Sequence, residues 1–381
     1  MAYRALSAKF VAVSLLFIST FGISLGLVAT MTSSPVGATS SGISWTASSN
    51  VPSGAWDGIT YGNGIFVAVS WGGTNSVMRS SDGITWTAVA GAPSGRFQEV
   101  TFGNGIFVAV GDQIEMYSTD GTTWTTVTDS VVTSGDWYSV TCGNGTFVAV
   151  SSDGTAMYSA DGISWHSPAS VPNGNWTGIT YGNGTFVAVS TFGAAMYSSD
   201  GSTWTAATGV PLGGYFSVTY GNGTFVAVGA IGVGGAAMYS ADGITWTAAT
   251  GLPSGGTGIT YGNGTFVAVY YEGTAMYSTD GIAWNSLTNA PTSTWYKVAY
   301  ANNIFVAVAD DSSAMYSGAL IPATTTTTTA PPATAITTSA TLAATGSDLA
   351  SPLSVAATLL GLGGLGVLGA QRRRRHREAA L

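Results

Sequence analysis

The chain has 381 residues, 53 of them glycine, with 45% apolar and only 7% charged residues, a composition too poor in charge and helix formers for a helical protein. Recurrent Gly, Thr, Ser, Val, Trp and Tyr favour many short strands joined by tight turns. The formal charge of -8 places its basic residues mostly at the two ends: between Thr39 and Thr345 only Arg79, Arg96 and Lys297 stand against sixteen acidic residues, a balance of about -13. Such a surface offers no basic stripe, which argues against nucleic acid as a partner.

At the N-terminus, Arg4 and Lys9 precede an apolar run from about Phe10 to Val28 and small residues ending Val36-Gly37-Ala38. This order predicts a secretory signal over 1–38, cut after Ala38; an uncleaved anchor fits the same pattern. Cys142 is the only cysteine. One thiol forms no internal disulfide and has no metal-ligand partner, so it reads as a small buried apolar residue, and no metal or cofactor is expected.

From 39 to 318 the chain repeats. Gly-Asn-Gly-(Ile/Thr)-Phe-Val-Ala-Val occurs six times, first at Gly62 to Val69 and last at Gly262 to Val269, and a weaker seventh copy runs from Ala301 to Val308. The marker phenylalanines, Phe66, Phe107, Phe147, Phe186, Phe225, Phe266 and Phe305, are 39 to 41 residues apart. That period, with four short strands in each unit, predicts an all-β, seven-bladed β-propeller. In one unit the strands are expected at Gly178 to Tyr181, Phe186 to Val189, Ala195 to Ser198 and Thr203 to Ala206. Asn-Gly and Asp-Gly turns join them, because both tolerate the positive φ of tight hairpins. Phe-Val-Ala-Val is apolar on both strand faces, as a sheet sandwiched between two neighbours requires.

The two ends of this region predict how the ring closes. The last repeat stops after Ser313 to Ser317 with three strands and no Trp strand, whereas the mature chain begins with Ser41-Gly42-Ile43-Ser44-Trp45-Thr46, a Trp strand with nothing before it. Together they make one antiparallel blade, so the N-terminal strand is expected to complete the seventh sheet and remove its free edge.

Six turns read Ser-x-Asp-Gly-x-(Thr/Ser/Ala)-Trp, from Ser80 to Trp86 through Ser278 to Trp284. The motif resembles the Asp-box, or BNR, repeat of sialidase-like propellers, in which it forms the turn between the third and fourth strands. Here Asp and Gly are adjacent, where the usual box has one residue between them. The resemblance implies that the boxes lie on the face remote from the active site. The residues point the same way: six near-identical copies around a ring are expected to be scaffold, with Asp accepting backbone hydrogen bonds and Trp packing against the next blade. No catalytic residue is assigned to them. Sialidases also resemble one another in using three arginines, and with only Arg79 and Arg96 in the mature ring that triad cannot be assembled.

The repeats differ most on one face, formed by the loops leading into each inner strand and those joining strands two and three. The leading positions carry Trp56, Phe97, Trp137, Trp176, Tyr215 and Trp295, with Gly256 breaking the series. Such a rim suits stacking on sugar faces or anchoring a protein partner, and equally suits plugging the space between blades. Two residues later, Glu99 and Lys297 depart from a series of Gly and Ser. Together with Asp57, Arg96, Asp310 and Asp311 they fall in one sector, as a binding patch or as a charge pair across the channel. His166, at a Thr position on an outer strand, and His376, in the basic tail, are uninformative.

After the ring, 319–341 is a Thr/Ala/Pro-rich spacer. Leu342-Ala343-Ala344-Thr345-Gly346, an apolar span over 352–370 and the arginines 372–375 follow. This region, 342–381, resembles a Gram-positive cell-wall sorting signal of the Leu-Ala-x-Thr-Gly kind found in actinobacteria. The resemblance implies cleavage by a sortase between Thr345 and Gly346 and attachment of Thr345 to peptidoglycan. A retained single-pass anchor also fits, since the span is long enough to cross a bilayer and the arginines would stay inside. Three functions follow from these expectations: a non-catalytic surface module binding an extracellular glycan or protein, an exo-acting glycoside hydrolase or related hydrolase with carboxylates at Asp57 and Glu99, or a passive wall spacer.

Overall fold

A computed structural model describes residues 43–318, except 129, 130, 133, 134, 230–236, 251 and 288. The chain divides into two compact units, Met1–Thr325 and Thr326–Leu381, and every described residue belongs to the first. The expected signal, spacer and sorting signal lie outside the described residues, as does most of the loop between strands two and three of blade 5, which follows Gly229. No helix among the described residues is long and apolar enough to cross a membrane.

Seven antiparallel sheets form the ring. Blades 1 to 7 begin with the inner strands Ala55–Gly62, Phe97–Gly103, Trp137–Gly143, Trp176–Gly182, Ser217–Gly221, Gly256–Gly262 and Trp295–Ala301. In blade 4 the chain continues through Thr185–Ser190 and Ala195–Ser198 to the short outer strand Thr205–Ala206. The expected meander is therefore present, with an outer strand shorter than the sequence suggests. All seven Asn residues that open the first hairpin turn, from Asn63 to Asn302, have positive φ, as this tight turn requires.

The ring closes as the sequence implies. Trp45–Ala47 pairs antiparallel with Ala314–Ser317, in the register Trp45 opposite Ser317, and completes blade 7. The inner strand of blade 1 then packs against those of blades 2 and 7 alike.

Blade 3 has three strands rather than four. Its outer segment makes only the bridge between Tyr158 and His166. The cause is Pro168, which occupies the position of Ala207 in blade 4. The Ala207 N–H donates to the Ala195 carbonyl at 2.8 Å, and proline has no N–H to offer.

Between the blades lies the core. The Phe-Val-Ala-Val segments are buried on both faces. Each outer Trp shares its cluster with the preceding blade, not the following one: Trp86 with Val306 and Val308, Trp124 with Val67 and Val69. This corrects the expected direction of packing, and the turn explains it. Gly83, at φ +74°, is held so close to blade 7 that a Cβ would stand 2.6 Å from Val306 Cγ2. Cys142 is half-buried rather than buried, at a position where other blades place a Tyr or Phe ring.

Candidate functional site: a funnel at the mouth of the channel

Strand-leading loops and the loops between strands two and three do share one face. Asn75 Nδ2 donates to the Ser53 carbonyl at 2.9 Å, and the Gln113 N–H to the Gly135 carbonyl at 3.0 Å. On the opposite face lie the Asp turns, built six times alike. In each, the Asp Oδ1 accepts two backbone N–H bonds and the preceding Ser hydroxyl, as Asp200 does from Ser202, Thr203 and Ser198 at 2.8 to 3.0 Å. Desolvation raises the Asp200 carboxyl, but these donors outweigh it and bring the group to about 2. The turn aspartates are structural acceptors.

The leading aromatics are not a rim. Trp56, Phe97, Trp137, Trp176, Tyr215 and Trp295 are all 0 or 1% exposed. The expectation that these rings present stacking faces to a ligand is corrected. They plug the spaces between blades, and their polar atoms are used internally: Trp56, Trp176 and Trp295 donate Nε1–H, and Tyr215 its hydroxyl, to the carbonyl of a proline four residues earlier. A pattern of Pro-x-x-x-aromatic in the sequence was the available signal. Where Gly256 lacks a ring, its strand partner Tyr270 supplies one, 1% exposed.

The residue after each leading position does face the channel. In six inner strands the ladder slips at this point, as between Trp176 and Gly178, so that the intervening residue is a bulge. A bulge re-aims a side chain out of the sheet. Asp57, Gln98, Tyr138, Thr177, Thr257 and Tyr296 are aimed in this way, and with Phe216 of blade 5, whose ladder has no slip, they converge, one from each blade, on a funnel of about 600 Å³. Trp71, Tyr271 and Asp310 from the second loops complete its wall. Sequence reasoning singled out only Asp57 of the seven, although this repeat position varies from acid and amide to hydroxyl, phenol and phenyl.

Below the funnel the channel narrows to a neck of about 100 Å³, lined by Glu99, Ser139, Gly178, Ser217 and Lys297 over a ring of Ile and Val. Backbones crowd here. A Cβ on Gly258 would stand 2.6 Å from the Tyr296 carbonyl oxygen, which explains the small residues. The two exceptions pair: Lys297 Nζ lies 2.5 Å from Glu99 Oε2.

Of the expected site residues, the funnel therefore brings together Asp57 and Lys297, with Asp310 beside them. Glu99 sits in the neck, held by Lys297 and the Val100 N–H. Arg96 lies at the rim, 3.8 Å from Asp112 and 5.2 Å from the centre of the Trp71 ring. Arg79 is exposed on the third strand of blade 1 and lines no part of the funnel. Burial pushes the Asp57 carboxyl up to about 7, with Lys297 opposing and Glu99 and Asp310 adding to the rise. Burial also raises Glu99, Tyr138 and Tyr296. Among the described residues no group of three or more His, Cys, Asp or Glu side chains is arranged to hold a metal ion.

Fold and site together define a seven-bladed β-propeller with an open, aromatic and acidic channel mouth. The family model of the DUF6242 beta propeller domain matches residues 93–220. No curated protein matches the chain in sequence. Among solved structures it is similar to YCF48 bound to D1 peptide, at 17% identity and a TM-score of 0.58, covering 72% of this chain and 96% of that one. It is also similar to the virginiamycin B lyase from Staphylococcus aureus, at 13% identity and a TM-score of 0.63, covering 72% and 98%. At these identities the likeness is one of fold.

Proposed function

We propose that this propeller is a non-catalytic binding module displayed at the cell surface, and that its ligand, glycan or protein, seats in the channel mouth. The observation that carries the reading is the ring of seven residues, one from each blade and six of them at bulges, that line the funnel. The scaffold repeats itself almost without change, while this one position holds acid, amide, phenol, hydroxyl and phenyl groups aimed into a common space of ligand size. YCF48, a propeller whose structure holds a D1 peptide, illustrates the fold as a platform for peptides. The signal and sorting motifs in the sequence support export and wall attachment.

The hydrolase alternative draws on Asp57, whose raised carboxyl is suited to hold a proton near neutrality. It loses the partner carboxylate assigned to it, because Glu99 lies in the neck in an ion pair with Lys297.

A glycan array and a surface-protein pull-down with the full chain, run beside a panel of chromogenic glycosides, test these readings. Binding that is lost in Tyr296→Ala, without hydrolysis, supports the module. Turnover abolished by Asp57→Asn would replace it with the hydrolase.

A further inference from the structure

We infer that the funnel's ligand is a cationic group, the ammonium or guanidinium of a basic side chain on a partner polypeptide, held between the Asp57 and Asp310 carboxylates and the rings of Tyr138, Phe216, Tyr271 and Tyr296. This rests on the binding reading above and assigns the ligand class of the same site.

Charge comes first. Both cations near the mouth are already committed, Lys297 to Glu99 at 2.5 Å and Arg96 to Asp112 at 3.8 Å. Neither Asp57 nor Asp310 is in an ion pair among the described residues, so the wall keeps an excess of negative charge. Asp57 is 8% exposed and its carboxylate accepts no hydrogen bond among the described residues. A buried carboxylate in that position lacks a hydrogen-bond donor, and the nearby cation, Lys297, is already paired with Glu99; a basic side chain brings a donor and an uncommitted charge. A neutral sugar brings donors alone, and an anion meets two carboxylates.

Aromatic rings extend the match, because their faces attract cations. The free chain already shows this, with the Arg96 guanidinium lying over the Trp71 ring. Tyr271 and Tyr296 stand edge to face, centroids 6.0 Å apart, as one corner of the wall. The rim points to a polypeptide rather than a free amine. Phe192 and Leu212 are 81% and 97% exposed, on adjacent loops joined where Gly193 meets the Gly213 backbone. They offer apolar contacts to the residues flanking a basic one.

Asp57 supplies a further readout. The groups that face it are Lys297, which lowers its pKa, and Glu99 and Asp310, which raise it; Tyr138 and Tyr296 share the wall. A bound cation opposes the burial that holds the proton, so binding at pH 7 releases protons and weakens as the pH falls to about 5.5.

The test is titration calorimetry on the full chain with three blocked pentapeptides, Gly-Ala-Arg-Ala-Gly and its lysine and citrulline counterparts, beside a chitin hexasaccharide. The arginine and lysine peptides should bind at least tenfold tighter than the citrulline peptide and release protons at pH 7. Asp57→Asn and Asp310→Asn should each weaken them at least fivefold, and His166→Ala, in the outer segment of blade 3, should change nothing. Equal binding of the citrulline peptide, or no heat with either basic peptide, overturns the cationic inference. If the hexasaccharide then binds and Tyr296→Ala weakens it, the mouth is still a binding site. Ligands indifferent to both Tyr138→Ala and Tyr296→Ala would remove that reading as well.

Discussion

Lys297 and Glu99, 2.5 Å apart at their charged ends, join blade 7 to blade 2 across the inner strand of blade 1. The pair can meet because the residue between them at that level is Gly58, whose Cβ would stand 2.7 Å from the Glu99 backbone. Removing one partner strands a buried charge. Lys297→Met should cost about 3–5 kcal/mol in denaturant unfolding. The double change Lys297→Met with Glu99→Gln should recover much of that loss, which a purely steric role for Lys297 would not allow.

Trp176 is a plug, so its truncation is a matter of stability. Trp176→Ala should cost about 3–5 kcal/mol through the cavity it opens between blades 3 and 4, and it leaves the Pro172 carbonyl without its donor. Trp176→Phe should cost less. Urea midpoints of the two variants check the order.

The six Asp turns set an acid limit. Their carboxyls lie below the usual carboxylate range, Asp161 and Asp200 at about 2, because backbone N–H bonds outweigh desolvation. A carboxyl lowered in the folded state contributes stability above its unfolded pKa and loses that contribution as the pH falls through the folded value. The thermal midpoint should therefore decline between about pH 4 and pH 2. Asp200→Asn should lower the midpoint at pH 7 and flatten part of this decline, at a cost of about 1 kcal/mol after allowing for the exposure of the turn.

Asp57 has the opposite sign. A carboxyl raised to about 7 contributes stability below its unfolded pKa and loses it as the pH rises towards the folded value. Asp57→Asn should thus stabilise the ring at pH 8 and change little at pH 4. Melting curves at the two pH values decide it, and an equal shift at both would contradict the buried-charge account.

The wall attachment proposed from the tail is tested at its own residues. Thr345→Ala should move the protein from the wall fraction to the membrane fraction. An unchanged distribution would instead favour a retained single-pass anchor.

Number of blades, ring closure and the structural role of the Asp turns were legible in the sequence, because each rests on residues whose backbone needs are local and repeated seven or six times. The site was legible only in part. Trp137 and Trp295 are chemically fit for a rim, and residue type alone does not say whether a ring plugs or protrudes; the proline carbonyl that fixes Trp295 does. Tyr138 and Tyr296 were overlooked because their orientation depends on where the ladder slips, a property of strand pairing rather than composition. The Lys297–Glu99 contact needed the ring to bring blades 7 and 2 together, although both residues already stood out as exceptions to a small-residue series.

The clasp that completes blade 7 also sets where the chain enters and leaves the ring. Trp45 and Ser317 lie opposite each other in the register, and the Gly318 N–H donates to the Ser44 carbonyl at 2.9 Å. The chain therefore arrives and departs at one corner, at the end of the blade where the Asp turns lie in other repeats. Ala314–Ser317 is flanked by strands on both sides, so tension applied beyond Gly318 is carried by two hydrogen-bond ladders instead of peeling an edge. The funnel lies at the opposite end of the blades from that corner.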